Sequence, residues 1–284
     1  MAQVRATING AISIVNAIAT WKGATLGIES KVEATVRTSD GRGILIESEN
    51  KSLSSRLITK VVELSVPKKD LEKTKIEIDI MSQIPTGYGL KSSSAISSAV
   101  SLACHKLFKS HYTDEQVLHA GIDASIATRV SMTGAYDDAC ACYFGGTIIT
   151  DNKARKIIKM QKTPTDLSVV VFIPHSRKRG NVRKLVALSE VFERAWNFAR
   201  DGSYWNAMIL NGLATSYVLN SDPRMISRLV ESGALGASVS GNGPAIAAIA
   251  KRNNIQNIKK VFSELEGKVM TAEINNKKAL VNEL

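Results

Sequence analysis

The sequence predicts an α+β protein built in two parts, and three observations support this prediction. Residues 74–81 (TKIEIDIM) largely alternate between polar and apolar side chains, which predicts a strand with one buried face. Residues 167–173 are almost continuously apolar and predict a second, fully buried strand. Helical patterns follow each strand, and polar and charged residues collect at 151–166 between the two halves. We therefore predict an N-terminal domain over 1–155 and a C-terminal domain over 156–284.

The N-terminal half begins with strands. Residues 3–8 alternate as a strand does, and Gly10-Ala11 is expected to interrupt that strand. Residues 31–38 and 43–47 are expected to form a hairpin, because the Asp-Gly pair between them favours a tight turn. The other expected elements are helices at 52–65, 92–109 and 114–128, a loop at 130–138 and a strand at 143–150.

The C-terminal half is predicted to be mainly helical after its first strand. Helices are expected at 181–200, 203–219, 222–232 and 254–265, with a glycine-rich strand–loop–strand at 233–250. Strands separated by pairs of helices are typical of the α+β class.

Composition and charge narrow the possible functions. The chain has no apolar run near the roughly 20 residues of a membrane span, and its start lacks the apolar core of a signal peptide. We therefore expect a cytoplasmic protein without a membrane partner.

The formal net charge of +11 raises nucleic-acid binding as an alternative. However, the basic residues are scattered and aromatic residues make up only 5%, so few side chains could stack on bases. A basic surface that gathers small anionic substrates is the better interpretation.

Residues 85–95 are the stretch around which the chain is organised. Gly87 and Gly89 allow close approach to the backbone, and a serine is expected to cap the helix that follows. A glycine-rich turn before a helix N-terminus is suited to an anion such as phosphate, and Lys91 adds a cation. The spacing is not that of the common P-loop, GxxxxGK[ST]. An ordinary loop that caps a buried helix remains the alternative.

Two further segments could carry chemistry. Asp137 and Asp138 follow a glycine turn, and a carboxylate there could accept the proton of an alcohol during phosphoryl transfer. Carboxylates also suit Mg²⁺. Residues 233–245 are small and glycine-rich, which permits close approach of a ligand or another loop. The alternatives are a solvated turn for the aspartates and a structural hairpin for 233–245.

Four segments, in order along the chain, resemble the GHMP kinases. Residues 85–95 resemble the family's phosphate loop, 131–139 its catalytic aspartate segment, and 233–245 its C-terminal glycine motif. Residues 15–24 (VNAIATWKGA) are similar to the archaeal-type shikimate kinases within that family. The chain departs from the family at Lys91, where many members have Gly or Ala. It also departs at 9–11, where the usual basic residue is missing.

The resemblance implies a fold and an activity. The implied fold has an N-terminal domain with a left-handed βαβ unit and a C-terminal ferredoxin-like domain. The implied activity is transfer of the γ-phosphoryl group of ATP to the 3-hydroxyl of shikimate, with ATP and Mg²⁺ as cofactors. Homoserine kinase, or a kinase of another small molecule in the family, is the alternative, and either a monomer or a homodimer is compatible.

The resemblance also implies roles for residues. Asp137, with Asp138 as the alternative, would be the catalytic base, Lys91 would stabilise the transferred group, and Ser93 would bind Mg²⁺. The residues expected to bind ATP are Pro85, Thr86, Gly87, Tyr88, Gly89, Leu90, Lys91, Ser92, Ser93, Ser94 and Ala95. The residues expected to bind the acceptor are Asn16, Thr20, Lys22, Asp137, Gly241, Asn242 and Gly243, with Arg177 or Arg179 as candidates for its carboxylate. Where many members have a metal-binding Glu, this chain has Ser125, so either Asp123 replaces it or the ion is held differently.

Overall fold

The structure, a computed structural model, describes residues 2–48 and 53–284. Within these residues the strands form two sheets, one of seven strands and one of four. The strands are β1 (Gln3–Val15), β2 (Lys22–Asp40), β3 (Gly43–Ser48), β4 (Thr74–Ser82), β5 (Thr147–Asp151), β6 (Lys156–Gln161), β7 (Leu167–Pro174), β8 (Gly236–Val239), β9 (Ile246–Lys251), β10 (Gly267–Glu273) and β11 (Leu280–Glu283). The helices are α1 (Ser55–Ser65), α2 (Lys68–Leu71), α3 (Ser92–Phe108), α4 (Asp114–Ala127), α5 (Tyr136–Phe144), α6 (Ser189–Arg200), α7 (Tyr204–Val218), α8 (Arg224–Glu231) and α9 (Ile255–Phe262), with 3₁₀ turns at Val182–Leu188 and Arg252–Asn254.

The first sheet is organised around β2, which is 19 residues long. It pairs with β1 along most of its length, with β4 at its C-terminal end and with β5 at its N-terminal end. The strand expected at 3–8 continues through Gly10-Ala11 to Val15, with only a register shift between Asn9 and Gly10. This continuation carries β1 to the site described below.

The expected hairpin of 31–38 and 43–47 is wrong. Both strands form, but β4 lies between them, antiparallel to β2 and parallel to β3. An interior position lets the backbone of β4 form hydrogen bonds on both sides, and it keeps the buried side chains of Ile76, Ile78 and Ile80 away from the sheet edge. The segment β3–α1–β4 is thus a βαβ unit. Its helix was expected from residue 52, which lies outside the described residues, and it begins at Ser55.

The second sheet has the order β10-β7-β9-β8, and every neighbouring pair is antiparallel. Helices α6 to α8 connect β7 to β8, and α9 connects β9 to β10, which is a ferredoxin-like arrangement. The sequence did not predict β10 or β11. Strand β11 pairs with β1, and β6 pairs with β5, so both belong to the first sheet although they follow residue 155. The domain division at 155 and 156 remains a prediction.

The α+β class is confirmed, and two boundaries are corrected. Helix α5 begins at Tyr136, inside the expected loop, and includes Tyr143 and Phe144, which were expected to start a strand. Asp137 and Asp138 therefore lie in the first turn of a helix. Across the part of the chain that the structure describes, no helix combines the length and apolar character that a membrane crossing requires.

Candidate active site

A cavity of about 450 Å³ brings together segments that are far apart in the sequence. They are the end of β1, the loop before α3, the start of α5, the loop after β7 and the loop between β8 and β9. The predicted site residues that line it are Asn16, Gly87, Gly89, Lys91, Ser92, Ser93, Ser94, Asp137, Gly241 and Asn242, together with the alternative candidates Asp138, Ser125 and Arg179.

The phosphate-loop candidate differs from expectation in its cap. The N-cap residue of α3 is Lys91, not a serine, and it adopts a left-handed conformation with φ of 64°. No side chain caps the amides of the first turn, which begins at Ser92. Since these amides carry the positive end of the helix dipole and Ser92, Ser93 and Ser94 line the cavity, the site is arranged for an anion.

The other predicted loop residues build the loop without lining the cavity. Leu90 and Ala95 are buried in the core, and the carbonyl of Tyr88 accepts a hydrogen bond from the Ala245 amide. These residues, with Pro85 and Thr86, shape the loop rather than contact the cavity.

Gly89 lets the phosphate loop touch the C-terminal glycine loop. A Cβ at this position would lie 1.9 Å from the carbonyl oxygen of Ser240. The Ser240 hydroxyl donates to the Gly89 carbonyl at 2.9 Å, which holds the two loops together. The two motifs therefore form one structural unit, in which the backbones of the two loops are in direct contact.

Lys91 is directed into the protein. Its ammonium lies 2.7 Å from Oδ1 of Asp138 and 2.7 Å from the hydroxyl of Ser13, and the side chain is only 5% exposed. The Ser13 oxygen also accepts the Gly241 amide at 3.0 Å. One cation thus joins the phosphate loop, β1 and the aspartate pair.

Asp137 is buried and held on three sides. Its Oδ1 accepts the Asn152 side-chain amide at 2.7 Å, and its Oδ2 accepts the Thr25 hydroxyl at 2.8 Å. A Cβ on Gly23 would lie 2.4 Å from Oδ2, so a glycine is needed there. The sequence did not predict a role for Thr25 or Asn152. Neither residue lies in a motif, and the two meet at Asp137 because β2 pairs with β5.

Asp138 has a different environment. Burial and the neighbouring charge of Asp137 raise the pKa of the Asp138 carboxyl to about 7, against the opposing effect of Lys91. The Thr25 hydroxyl also approaches Oδ1 of Asp138 at 3.2 Å. The two adjacent carboxyl groups share the Thr25 hydroxyl as a hydrogen-bond donor.

Asn16 joins the N-terminal segment to the glycine loop. Its side-chain amide donates to the Gly241 carbonyl at 2.8 Å, and its side-chain oxygen accepts the Ile18 amide at 2.8 Å. Gly243 lies behind the cavity wall, where its amide donates to the Ser240 carbonyl at 2.8 Å. Of the three predicted residues in the glycine loop, Gly241 and Asn242 face the cavity.

Thr20 and Lys22 are not brought to the cavity. The Lys22 ammonium forms an ion pair with Glu193 at 2.5 Å and lies 5.0 Å from the centre of the Trp196 ring. The Thr20 hydroxyl bonds only to the backbone of Lys22 within the described residues. The roles predicted for both residues remain predictions.

Basic residues collect at the mouth of the cavity. The Arg177 guanidinium lies 5.2 Å from the centre of the Tyr88 ring, and the Arg179 guanidinium donates to the Gly243 carbonyl at 3.2 Å. Arg179 and Arg183 both line the cavity. Arg183 was missed, because nothing in its local sequence separates it from other surface arginines.

The possible metal ligands near the phosphate loop would fit a Mg²⁺ ion that keeps several water ligands, rather than one surrounded by protein ligands. Ser125 lines the cavity but donates its hydroxyl to the Gly121 carbonyl at 2.9 Å. Asp123 is paired with Arg155 and does not line the cavity. In the described ranges, no three His, Cys, Asp or Glu side chains are clustered as metal ligands. The Ser93 hydroxyl faces the cavity, and Mg²⁺ commonly completes such a site with water and substrate phosphates.

Known proteins resemble this chain in sequence and in structure. The family model for the GHMP kinases N terminal domain matches residues 56–146. A shikimate kinase of Methanosarcina mazei is 36% identical, covering 95% of this chain and 94% of its own length. A shikimate kinase of Pyrococcus furiosus is 32% identical, covering 93% and 97%.

Solved structures confirm the fold. A homoserine kinase from Cytophaga hutchinsonii has a TM-score of 0.75 and 17% identity, covering 99% of this chain and 97% of its own. The mevalonate kinase of Methanococcus jannaschii has a TM-score of 0.76 and 14% identity, covering 96% and 98%. These similarities establish the two-domain GHMP kinase fold. Together with the full-length sequence relatives, they show that the chain belongs to the archaeal-type shikimate kinase family of the GHMP kinases.

Proposed function

We propose that this protein transfers the γ-phosphoryl group of ATP to the 3-hydroxyl of shikimate, giving shikimate 3-phosphate and ADP. The observation that carries the proposal is one cavity lined by an uncapped helix start, an aspartate pair and the Asn16–Gly241 contact. It occurs in a chain related along 95% of its length to a shikimate kinase.

In this proposal the ATP phosphates bind at the start of α3. The amides and hydroxyls of Ser92, Ser93 and Ser94 meet the phosphate oxygens, with the helix dipole favouring the negative charge. Ser93 would hold Mg²⁺, which would neutralise phosphate charge when bound. Lys91 lies at the edge of the same turn and stabilises negative charge on the transferred group.

Asp137 accepts the proton of the attacking hydroxyl. Each of its carboxylate oxygens already accepts one hydrogen bond, from Asn152 and from Thr25. Since a carboxylate oxygen has two lone pairs, acceptor capacity remains for the substrate hydroxyl. Asp138, whose Oδ1 is paired with the ammonium of Lys91, is the alternative.

The acceptor lies against Asn16, Gly241 and Asn242, which line the cavity near the aspartates. Its carboxylate requires a cation, and Arg179 is the best-placed of the predicted arginines because it lines the cavity. Arg177 instead stacks on Tyr88. A role for Lys22 would require its ion pair with Glu193 to open.

The proposal extends to partners and location. ATP and shikimate are the small-molecule partners, with no nucleic acid or membrane among them. The protein acts in the cytoplasm as a monomer or a homodimer.

The test is ADP release from Mg²⁺-ATP with shikimate, homoserine and mevalonate offered in parallel. Turnover with shikimate alone supports the proposal. Turnover with homoserine instead would keep the ATP site but overturn the acceptor assignment. ATP binding without turnover of any of the three would also overturn it.

A further inference from the structure

Asn152 lies behind the candidate active site and is not part of its lining. It directly follows β5, in the turn that leads to β6, and only 3% of its surface is exposed. A buried asparagine must satisfy the hydrogen-bonding groups of its side chain within the protein. The hydrogen-bond partners of Asn152 therefore indicate its role.

The side chain of Asn152 forms a clamp on Asp137. Its amide nitrogen donates to Oδ1 of Asp137 at 2.7 Å, while its oxygen accepts the Asp137 backbone amide at 3.1 Å. The Thr150 hydroxyl donates to the same oxygen at 2.6 Å. The two contacts with Asp137 close a ring, which fixes the carboxylate relative to its own backbone. Thr150 fixes which way the amide faces.

The backbone of Asn152 reaches the segment proposed to bind the acceptor. Its amide donates to the carbonyl of Trp21 at 2.7 Å. Trp21 has a positive φ of 63°, unusual for a bulky residue, and lies within the segment 16–22. One residue therefore contacts both the catalytic candidate and the chain segment that includes Asn16.

The opposite side of the carboxylate is also closed. The Thr25 hydroxyl donates to Oδ2 of Asp137 at 2.8 Å, and a Cβ on Gly23 would overlap that oxygen. Because both carboxylate oxygens of Asp137 accept hydrogen bonds from the protein, small movements of this side chain are restricted. Fixed geometry of a base relative to the attacking hydroxyl is a large part of its catalytic effect.

We propose that Asn152 is a positioning residue, which holds Asp137 in register with the segment 16–22. The inference rests on the proposed role of Asp137 as proton acceptor but does not depend on which alcohol is the acceptor. It assigns a function to a residue outside every motif in the sequence.

The other charged side chains that line the cavity with Asp137, among the described residues, are Lys91, Asp138, Arg179 and Arg183. Burial raises the pKa of the Cys140 and Cys142 thiols, so they stay neutral at physiological pH.

The test replaces Asn152 by Asp, which keeps the shape but exchanges a donor for a second carboxylate. The new carboxylate has no amide hydrogen to donate to Oδ1 of Asp137, so the clamp on Asp137 is lost. With the accepted alcohol and saturating ATP, kcat is expected to fall about 100-fold while KM for ATP changes less than about twofold. Thr150→Val, a milder change, is expected to lower kcat in the same direction, and Thr150→Ser to restore it.

Asn275→Asp is the matched control. Asn275 is equally buried, at 1% exposure, and bonds to the backbone of Lys277 away from the cavity. This variant is expected to lower stability without lowering kcat. Wild-type kcat in Asn152→Asp, or an equal loss of kcat in Asn275→Asp, would overturn the inference. If the wild-type protein accepts an alcohol other than shikimate and Asn152→Asp still lowers kcat with that alcohol, the proposed acceptor fails and the positioning role stands.

Discussion

The ammonium of Lys91 lies 2.7 Å from Oδ1 of Asp138, with both side chains largely buried. Lys91 belongs to one of the two segments in which the sequence departs from the GHMP kinase motifs. The usual basic residue is missing at 9–11, and Lys91 stands where many members have Gly or Ala. In the fold, Lys91 places a cation against Ser13 of β1, only a few residues beyond the position where the usual one is missing.

The Lys91–Asp138 pair predicts a separation of stability from activity. Lys91→Met removes the cation that favours the ionised form of the buried Asp138 carboxyl, so the free energy of unfolding is expected to fall, and to fall further as the pH rises above about 7. Adding Asp138→Asn removes the orphaned charge and is expected to recover most of that stability. Turnover stays low in the double variant, since the cation is still missing. Urea unfolding and steady-state kinetics measure the two effects, and recovery of full turnover in the double variant would contradict a catalytic role for Lys91.

The two aspartates are expected to differ in their effect on rate. Asp137→Asn removes the proton acceptor and is expected to lower kcat by about 10² to 10⁴-fold while the protein remains folded. Asp138→Asn is expected to have a smaller effect on kcat. Circular dichroism and thermal unfolding check the fold of each variant. The reverse ranking of the two rates would move the base to Asp138.

Gly23 is expected to be essential for the position of Asp137. In Gly23→Ala the new methyl group would lie 2.4 Å from Oδ2 of Asp137, so the carboxylate must move. We expect kcat to fall about 100-fold with KM for ATP nearly unchanged. Gly10→Ala is the matched control, because it adds a methyl group in β1 whose three nearest atoms belong to the side chains of Ile84 and Ser30. Equal loss of kcat in both variants would point to a general packing defect.

Binding of the acceptor through its carboxylate is expected to depend on Arg179. Arg179→Met removes a charged donor that lines the cavity, and KM for shikimate is expected to rise roughly tenfold to 100-fold while KM for ATP stays similar. Lys178→Met is the control for the loss of one positive charge in the same loop, since Lys178 does not line the cavity. A rise in KM for ATP instead would assign Arg179 to the phosphates.

The raised pKa of Asp138 predicts a pH dependence of stability. Its carboxyl is raised from a reference value near 4 to about 7 by burial and by Asp137, so the folded state binds the proton more tightly than the unfolded state. The stabilising contribution is complete below about pH 4 and is lost as pH rises through about 7. Asp138→Asn is expected to flatten this part of the profile, measured by urea unfolding between pH 5 and 8. Asp166→Asn, at an exposed position, should keep the wild-type slope.

Local sequence patterns determined most of the individual elements. The alternation at 74–81 predicts β4, the apolar run at 167–173 predicts β7, and the small residues after Gly89 predict α3, because each pattern reports directly on burial. The phosphate-loop, aspartate and glycine motifs also identify the segments that meet at the cavity. These features depend on contiguous residues, which a sequence displays.

The tertiary structure determined which strands pair and which distant side chains come into contact. An Asp-Gly turn predicts a hairpin, yet β4 lies between β2 and β3, where its backbone forms hydrogen bonds on both sides. The Lys91 contact with Asp138 and the Asn152 clamp on Asp137 join residues 47 and 15 positions apart, respectively, through strand pairing and helix packing. Thr25 and Asn152 have no motif of their own. Their roles arise only when β2 and β5 lie side by side beneath α5, since long-range contacts leave no local pattern in the chain.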